Sequence, residues 1–367
     1  MKRELYVHSF RPVLPSNHLN QDIIVDWILK AHSRTEYLTN GTQDVDLMEN
    51  RLRRFTLSSN YIQNRYFECN ELDENWEEHE IYKLVQENPS GVTIGTRNQY
   101  FGKKVIKVFD ELYQFKMPFH LIHVSCTGYL SPSPAQIYFS QKKNAPEISH
   151  AYQMGCYASL PSIRLAMGMS LSEGADIDIV HTEMCSLHLD SSTHTPEQIV
   201  VQTLFADGHI KYSVGPERKG LKILAIKEKI ISETQTDMTW IPDSYGMKMT
   251  LSRDVPFKIR DHLPEFIDEL CKKAKVDKNE ILKNAIFAIH PGGPKIIDAV
   301  ARKLELKSEQ FELSKKVLFE RGNMSSATLP HIWNEILNSS PSNERKILSL
   351  AFGPGLTIFG SIFEISV

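Results

Sequence analysis

Residues 153–160 read Gln-Met-Gly-Cys-Tyr-Ala-Ser-Leu, and the rest of the chain is organised around this stretch. Gly155 permits a sharp backbone turn immediately before Cys156, and the apolar segment from Ala158 to about Met169 predicts a helix. A thiol at a helix N-terminus faces the positive end of the helix dipole and unpaired backbone N–H groups, which favour the thiolate. Cys156 is therefore a candidate nucleophile. The alternative is a buried cysteine that only packs.

The composition is typical of a globular protein. Of the 367 residues, 41% are hydrophobic and 24% are charged, and the formal net charge is -3. This length suits one large domain or two fused halves. The small negative charge gives no electrostatic case for binding nucleic acid or an anionic membrane surface. No apolar run reaches the roughly 18 residues that a membrane span needs.

Cysteine usage and the N-terminus indicate a reducing compartment. The five cysteines are far apart, and none forms a Cys-x-x-Cys pair; they are Cys69, Cys126, Cys156, Cys185 and Cys271. This pattern argues against a disulfide framework and against a thiolate zinc site. The first residues, Met-Lys-Arg-Glu-Leu, lack the apolar core of a signal peptide. We therefore expect a cytoplasmic protein without a bound metal ion.

Apolar strand patterns alternate with helical patterns along the whole chain. Buried strands are predicted at residues 119–125, 177–183 and 285–289, with helical segments between them. The polar residues 216–220 interrupt this pattern, so we expect an N-terminal half of residues 1–217, which contains the cysteine, and a C-terminal half of residues 218–367. Alternating strands and helices in both halves predict an α/β architecture with layered sheets.

Two loops in the C-terminal half hold polar residues that could act with Cys156. His290 ends the strand predicted at residues 285–289 and precedes Pro-Gly-Gly-Pro, a turn that can present a side chain rigidly. Asn323 lies in Arg-Gly-Asn-Met-Ser-Ser between two predicted helices. An asparagine there could also serve only to cap a helix.

Taken together, these segments resemble the chalcone synthase-like (type III) polyketide synthases, which have the thiolase fold. The similar segments are QMGCYAS, AIHPGGPKIIDAV, RGNMSSATL and FGPGLTI, and recognisable blocks extend from about residue 62 to the C-terminus. Residues 238–256 are more similar to bacterial members than to plant members. The resemblance implies two pseudo-symmetric halves in a layered α-β-α-β-α arrangement, and a homodimer.

The resemblance also implies a reaction and its residues. Cys156 would carry the acyl group, and His290 and Asn323 would complete a catalytic triad. An imidazolium beside Cys156 would stabilise the thiolate. Hydrogen-bond donors from His290 and Asn323 would stabilise the enolate that forms when a malonyl thioester loses carbon dioxide. We expect acyl-CoA or acyl-carrier-protein starters, malonyl-CoA as extender, no bound cofactor, and a pyrone- or resorcinol-type product.

Four further residues match positions at the family's reaction cavity. Phe205 corresponds to the aromatic gatekeeper between the coenzyme A tunnel and the cavity, and Met249 replaces the phenylalanine that is usual at the second gatekeeper position. Cys126 falls in the wall of the elongation cavity. His188 falls on a cavity position that usually holds a small residue. It could be a specificity element or a plain surface histidine, and we favour the second.

The binding site for coenzyme A departs from the family pattern. The positions of three cations on an N-terminal helix hold Leu52, Phe55 and Ser59 instead. Nearby arginines form either a solvated basic face or a phosphate anchor; they are Arg51, Arg53, Arg54 and Arg65. Lys295 and Ser325 match positions that face coenzyme A. We therefore consider the hypothesis that the acyl donor arrives on an acyl carrier protein.

Two other functions remain open from the sequence. One is a β-ketoacyl-carrier-protein synthase III-like enzyme that performs a single condensation, although its histidine loop would be expected to differ from His-Pro-Gly-Gly-Pro. The other is a non-catalytic acyl-binding subunit that retained the fold. The presence of Cys156, His290 and Asn323 argues against this second alternative.

Overall fold

The computed structural model describes residues 4–42, 44–339 and 342–366. The strands in these ranges are β1 Tyr6–Val13, β2 Asn17–Asn20, β3 Asn64–Phe67, β4 His120–Ser125, β5 Glu147–Tyr152, β6 Ile177–Met184, β7 Asp207–Gly215, β8 Gly220–Ile230, β9 Met238–Asp243, β10 Gly246–Leu251, β11 Ile286–Ile289, β12 Lys346–Gly353 and β13 Thr357–Ser366. The helices are α1 Gln21–Asn40, α2 Val45–Arg53, α3 Ile94–Leu112, α4 Pro134–Ser140, α5 Ser159–Glu173, α6 Pro196–Leu204, α7 Val255–Ala274, α8 Lys278–Asn284, α9 Pro294–Lys303, α10 Glu312–Arg321 and α11 Thr328–Asn338.

Nine of the described strands form one mixed sheet in the order β11-β12-β13-β8-β1-β7-β6-β4-β5. On one side of the sheet, β1 is followed by β7, β6 and β4, which run backwards through the N-terminal half. On the other side, β8 is followed by β13, β12 and β11, which run backwards through the C-terminal half in the same way. The pairs β4–β5, β4–β6 and β11–β12 are parallel, and the other pairs in this sheet are antiparallel. The repeated order gives the fold its pseudo-symmetric halves.

In the described part of the chain, three apolar cores lie between the sheet and the helices, and a smaller one lies between α1, α2 and α6. The central core joins α5 and α11 to strands of both halves, and Trp333 of α11 is fully buried in it. One outer core packs α7 and α9 against the C-terminal strands. The other packs α1, α3 and α4 against the N-terminal strands. Helices therefore cover both faces of β4, β6 and β11, which explains why these strands read as continuous apolar runs in the sequence.

The predicted strands at residues 119–125, 177–183 and 285–289 correspond to β4, β6 and β11 within one residue at each end. Strand β1, which lies between β7 and β8 in the middle of the sheet, was not predicted. Its register on β7 shifts between His8 and Arg11, and Ser9 has a φ of 55°. This bulge breaks the alternation of apolar and polar residues that identifies a strand.

The connection between the halves is short. Residues 216–219 join β7 to β8, and β1 pairs with both strands, so the sheet continues across this point. The division at residues 217 and 218 stays a prediction.

Among the residues that the structure describes, no helix is both long enough and apolar enough to cross a bilayer.

Candidate active site

Cys156 lies in a tight turn that leads into α5. Residues Gly155–Tyr157 form a single 3-10 turn, and Gly155 has a φ of 75°, a conformation that glycine adopts without strain. A Cβ on Gly155 would lie 2.9 Å from Cδ of Pro354. The predicted glycine turn and the predicted helix after it are both present. Cys156 itself is only partly exposed.

The turn between β12 and β13 holds the cysteine turn in place. A Cβ on Gly353 would overlap the ring of Tyr157, so only glycine permits this close approach. Pro354 then packs against Gly155. The segment FGPGLTI, far away in sequence, therefore supports the backbone on both sides of Cys156.

Asn323 is fully buried and its side chain is fixed at one end. The residue follows α10, and its backbone pairs with the end of α6 through Asn323 N–H to Leu204 O at 3.1 Å and Ala206 N–H to Asn323 O at 2.8 Å. Its Oδ1 accepts hydrogen bonds from the N–H of Ser325 at 2.9 Å and from Oγ1 of Thr328 at 3.3 Å. Its Nδ2 has no partner among the described residues. The side chain thus caps the turn through its oxygen and leaves its N–H groups free.

His290 continues the line of β11 into the loop before α9. Its backbone N–H donates to Leu350 O of β12 at 2.8 Å, which extends the pairing of these two strands by one residue. The side chain is fully buried, and neither ring nitrogen has a hydrogen-bond partner in the described part of the chain. His290 and Asn323 therefore each present buried polar atoms that the protein leaves unpaired.

Ser325 connects Cys156 to Asn323. Its Oγ lies 3.8 Å from Sγ of Cys156, while its backbone N–H is the donor to Asn323 Oδ1. Ser325 has a φ of 49°, a left-handed conformation that is uncommon for a side chain of this kind. His290 reaches the same end of the sheet through β12, whose last residue, Gly353, packs on Tyr157.

Burial favours the neutral forms of both candidate catalytic groups. It raises the pKa of the Cys156 thiol to about 12, although the hydrogen bond with Ser325 opposes this change. It lowers the pKa of the His290 imidazole to about 3. A thiolate therefore forms only if a partner takes the proton. The thiolate–imidazolium pair inferred from the sequence stays a prediction.

A buried carboxyl group beside the thiols was missed by the sequence interpretation. Glu183, at the end of β6, accepts hydrogen bonds from the N–H of Cys126 at 3.1 Å, from Oγ1 of Thr127 at 2.8 Å and from Oγ of Ser326. Burial raises the pKa of Glu183, and these hydrogen bonds lower it. The one signal was an acidic residue near the end of the largely apolar run of residues 177–184, which also contains Asp178. The Cys126 thiol lies 2.9 Å from Oγ of Ser325, so it adjoins the site.

The histidine at the cavity position, His188, is partly exposed, and both of its ring nitrogens have hydrogen-bond partners. Nδ1 of His188 accepts the N–H of Met247 at 3.0 Å, and Nε2 lies 2.9 Å from Thr127 O. Burial lowers the pKa of His188 to about 4, so the ring is neutral and Nε2 is the nitrogen that donates. The surface alternative that we favoured is therefore wrong. The sequence could not show it, because both partners belong to distant segments, the turn after β4 and strand β10.

Phe205 and Met249 lie at the boundary between the site and the C-terminal core. Phe205 forms an isolated bridge with Asn323, and its ring lies 6.5 Å from the ring of Trp240. Met249 is opposite Trp240 in the β9–β10 hairpin and is buried. Trp240, which the sequence did not single out, donates its indole N–H to Cys126 O at 2.6 Å.

Comparisons with known proteins agree with this geometry. The sequence profile of "Chalcone and stilbene synthases, C-terminal domain" matches residues 222–366. Type III polyketide synthase C of Arabidopsis thaliana is 29% identical over 259 residues, which is 67% of each chain. Probable polyketide synthase 1 of Dictyostelium discoideum is 29% identical over 256 residues, which is 67% of this chain but 8% of that protein. Residues 222–366 therefore match the chalcone and stilbene synthase family, and the chain is similar to type III polyketide synthases.

Solved structures support the fold. The C-terminal type III polyketide synthase domain of Steely1, from Dictyostelium, superposes with a TM-score of 0.83 at 23% identity, over 99% of this chain and 100% of that one. The enzyme PKS-I of the brown alga Ectocarpus siliculosus gives 0.83 at 19% identity, over 99% and 98%. The predicted thiolase fold is confirmed.

The predicted class of activity is confirmed as well. The relatives are type III polyketide synthases, so the chain is a polyketide-synthase-like condensing enzyme of the acyltransferase class. The closer similarity to bacterial members stays a prediction. The structure has no group of three or more histidine, cysteine or acidic side chains in its described ranges that could hold a metal ion.

The residues expected to bind coenzyme A differ in their exposure to solvent. Leu52 is 2% exposed and packs against α1 and α6, so its place on α2 belongs to the core. Arg51 and Arg54 are exposed, and their side chains make no ion pair or hydrogen bond with described residues. Lys295 is also exposed at the start of α9.

Two of the remaining arginines have structural partners. Arg53 pairs with Asp26 at 2.7 Å. Arg65 is fully buried and donates to Phe205 O at 2.8 Å and to Gln202 O at 2.9 Å. The interpretation of Arg65 as part of a basic face or a phosphate anchor is therefore wrong, because its guanidinium holds the segment that carries Phe205. Ser325, expected to face coenzyme A, is buried between the two thiols.

Proposed function

We propose that this protein loads an acyl starter on Cys156, extends it by decarboxylative Claisen condensation with a malonyl thioester, and releases a pyrone- or resorcinol-type product. The observation that carries the proposal is the set of unpaired polar atoms on His290 and Asn323, two fully buried residues. A buried polar group without a partner costs about 1–3 kcal/mol. Such atoms are expected to find their partners on the substrate.

The first step is the transfer of the acyl group. The sulfur of Cys156 attacks the thioester carbonyl, the new carbon–sulfur bond forms, and the donor thiol leaves. Since burial keeps the Cys156 thiol protonated, a base must accept its proton during the attack. The neutral imidazole of His290 can accept the proton and return it to the departing thiolate.

The second step forms the carbon–carbon bond. The malonyl thioester loses carbon dioxide, and the electron pair of the broken bond becomes an enolate. Its oxygen carries the developing negative charge, which N–H groups of Asn323 and His290 would stabilise. The enolate carbon then attacks the acyl carbonyl on Cys156, and the cysteine thiolate leaves. Both donors are electrically neutral in the resting protein, so neither needs a counter-ion there.

The proposal is tested by following the acyl group. Incubation with an acyl-CoA series should increase the intact mass of the protein by one acyl group, and digestion should place that group on Cys156. Adding malonyl-CoA should release products whose masses count the condensations. A single condensation would instead support the β-ketoacyl-carrier-protein synthase III-like alternative. Loading on another cysteine would contradict the assignment of the nucleophile.

For the acyl donor, the arrangement of α2 favours a carrier protein. The family's cation positions are uncharged, and Leu52 at one of them is buried. Arg51, Arg54 and Lys295 remain exposed and could instead meet an acidic partner surface. Loading rates from matched acyl-CoA and acyl-carrier-protein thioesters decide between these donors. Much faster loading from acyl-CoA would reject the carrier protein.

We also propose that the protein is a homodimer. Strand β5 is an edge of the nine-stranded sheet and pairs only with β4 among the described strands. Exposed strand edges are usually covered or paired. β5 leads directly to the turn that contains Cys156. Pairing of the β5 strands of two copies would therefore stabilise this turn. Light scattering of the purified protein measures the mass; a monomer at micromolar concentration would contradict the proposal.

Cytoplasmic localisation stays a prediction.

A further inference from the structure

Three segments from outside α6 hold the C-terminal end of this helix. The last carbonyl groups of a helix have no partner within that helix. In α6 they accept hydrogen bonds from β3, from the start of α1 and from the loop after α10. The pairs are Gln202 O with Arg65 Nη1 at 2.9 Å, Thr203 O with Gln21 Nε2 at 2.8 Å, and Leu204 O with the backbone N–H of Asn323 at 3.1 Å. The backbone of Asn323 is therefore part of the cap of α6.

Arg65 is the charged member of this cap and is fully buried. Its Nη1 donates to Phe205 O at 2.8 Å as well as to Gln202 O, so it joins the carbonyl groups before and after the helix end. Its Nε donates to Oε1 of Gln21 at 2.7 Å and so orients the second side-chain donor. Burial lowers the pKa of Arg65 to about 9, and the nearby Asp207 opposes this change. The guanidinium is therefore charged at neutral pH, and a positive charge is favourable at the C-terminus of a helix.

The stem of Arg65 also packs against the turn that carries Asn323. Gly322 has a φ of 74°, and a Cβ on it would lie 2.9 Å from Cγ of Arg65 and 3.0 Å from Cβ of Ala206. The carbonyl of Asn323 accepts the N–H of Ala206 at 2.8 Å. A displacement of Arg65, or of the helix end that it holds, would therefore move Asn323.

The other two candidate catalytic residues are held by a different part of the chain. The turn that contains Cys156 packs on Gly353 and Pro354, and the backbone of His290 extends the pairing with β12. The hydrogen bonds of Arg65 within the described structure all go to the cap of α6. A change at Arg65 should therefore reach Asn323 without moving the sulfur or the imidazole.

We propose that Arg65 is the positioning residue for Asn323: it fixes the end of α6 on which the Asn323 backbone rests, and so sets the place of the side-chain N–H groups of Asn323. The inference rests on the proposed function, in which these N–H groups stabilise the enolate. It adds the residue that keeps them in place. Loss of Arg65 should therefore slow malonyl decarboxylation and largely spare acyl transfer.

Two substitutions of Arg65 and one control test this inference. Arg65→Met keeps an unbranched stem but removes the charge and every donor. Arg65→Lys keeps the charge but not the planar fork that serves several acceptors at once. Arg11 donates to Glu111 O at 2.9 Å and to Leu112 O at 3.2 Å, at the end of α3. Arg11→Met therefore removes an arginine from a helix end outside the candidate active site and is the matched control.

The first measurement compares carbon dioxide release from malonyl-CoA with acyl loading on Cys156. Arg65→Met should slow decarboxylation about 10²-fold, the loss that a displacement of about 1 Å produces, and should change loading much less. Arg65→Lys should lose less than Arg65→Met, and Arg11→Met should keep both rates. An equal fall of both rates in Arg65→Met would overturn the inference, as would wild-type decarboxylation. Arg65→Lys takes the place of Arg65→Met if the latter does not fold.

A double-mutant cycle with Asn323→Asp shows whether Arg65 acts through Asn323. Losses from independent sites multiply, whereas losses from coupled sites do not. If Arg65 only positions Asn323, the double variant should decarboxylate malonyl-CoA about as slowly as Asn323→Asp alone. A combined loss equal to the product of the two single losses would contradict the inference.

Hydrogen exchange separates this inference from the proposed function. Wild-type decarboxylation by Asn323→Asp would reject the role of Asn323 in the proposed function, whatever Arg65 does. The inference would then be judged by exchange of the backbone N–H groups of Ala206 and Asn323, measured by mass spectrometry of peptides. Exchange of both groups should be faster in Arg65→Met than in the wild type, with no change in the peptide that contains Cys156. Unchanged exchange at Ala206 and Asn323 would overturn the inference.

Discussion

The substitution Asn323→Asp separates the catalytic role of this residue from its structural one. In the native site Oδ1 accepts from Ser325 N–H at 2.9 Å and from Thr328 Oγ1 at 3.3 Å, and Nδ2 has no partner in the described structure. An aspartate keeps the accepting oxygen and replaces only Nδ2 with a second oxygen. The turn at residues 325–327 therefore keeps its hydrogen bonds while the enolate loses a donor.

The expected loss of rate follows from this exchange. Removing one donor to a developing oxyanion typically lowers the rate by about 10²–10³, or ~2.7–4 kcal/mol. An ionised carboxylate also repels the enolate, so the fall in malonyl decarboxylation should reach at least about 10³ above neutral pH. A buried carboxyl group has a raised pKa and can donate when protonated. The defect should therefore become smaller as the pH falls.

The assay measures carbon dioxide release from malonyl-CoA and, separately, the rate of acyl loading on Cys156. Decarboxylation should suffer much more than loading, and the unfolding temperature of Asn323→Asp should stay near that of the wild type. Asn323→Ala is the comparison, because it also leaves the buried Ser325 N–H unpaired at about 1–3 kcal/mol of stability. Near wild-type decarboxylation by Asn323→Asp, or an equal fall in loading, would refute the reasoning.

The remaining predictions concern Cys156 and His290. Cys156→Ala should abolish acyl loading, and mass mapping that finds an acyl group elsewhere would contradict this. Because burial raises the pKa of Cys156 to about 12, its alkylation by iodoacetamide should speed up about tenfold per pH unit above neutral; a plateau near pH 7 would instead reveal the thiolate–imidazolium pair. Burial lowers the pKa of His290 from 6.5 to about 3, so the unfolded chain binds the proton more readily and stability should fall as the pH drops from 6.5 toward 3, by up to ~1.4 kcal/mol per pH unit from this group. Urea unfolding of the wild type and His290→Gln across this range measures the effect, and equal pH slopes would count against it.

The sequence predicted the parts of the site that are local in the chain. Gly155 and the apolar run after it were enough to place Cys156 before a helix, since turn and helix both depend on nearby residues. His290 was placed correctly at the end of a strand because the run before it is short and apolar. These features can be predicted without knowing which distant residues are in contact.

The residues that the sequence missed depend on contacts between distant segments. Trp240 reaches Cys126 O across 114 residues, and His188 bonds to Thr127 after β4 and to Met247 in β10. The sequence around Trp240 and His188 does not reveal these contacts, because a tryptophan in a hairpin or a histidine in a loop is equally common at a surface. Strand β1 was missed for a local reason, its bulge at Ser9.

The two interpretations of Asn323 offered by its sequence, a capping residue or a catalytic donor, are not alternatives. Its oxygen caps the turn that carries Ser325, and this bond fixes the amide while Nδ2 has no partner among the described residues. His290 follows the same rule, since its backbone extends the β11–β12 pairing while both ring nitrogens stay free. In each residue the structural bond is what makes the remaining polar atom available in a fixed place. Substitutions that keep the structural atom and change the free one therefore report on chemistry, whereas truncation to alanine at Asn323 mixes chemistry with folding.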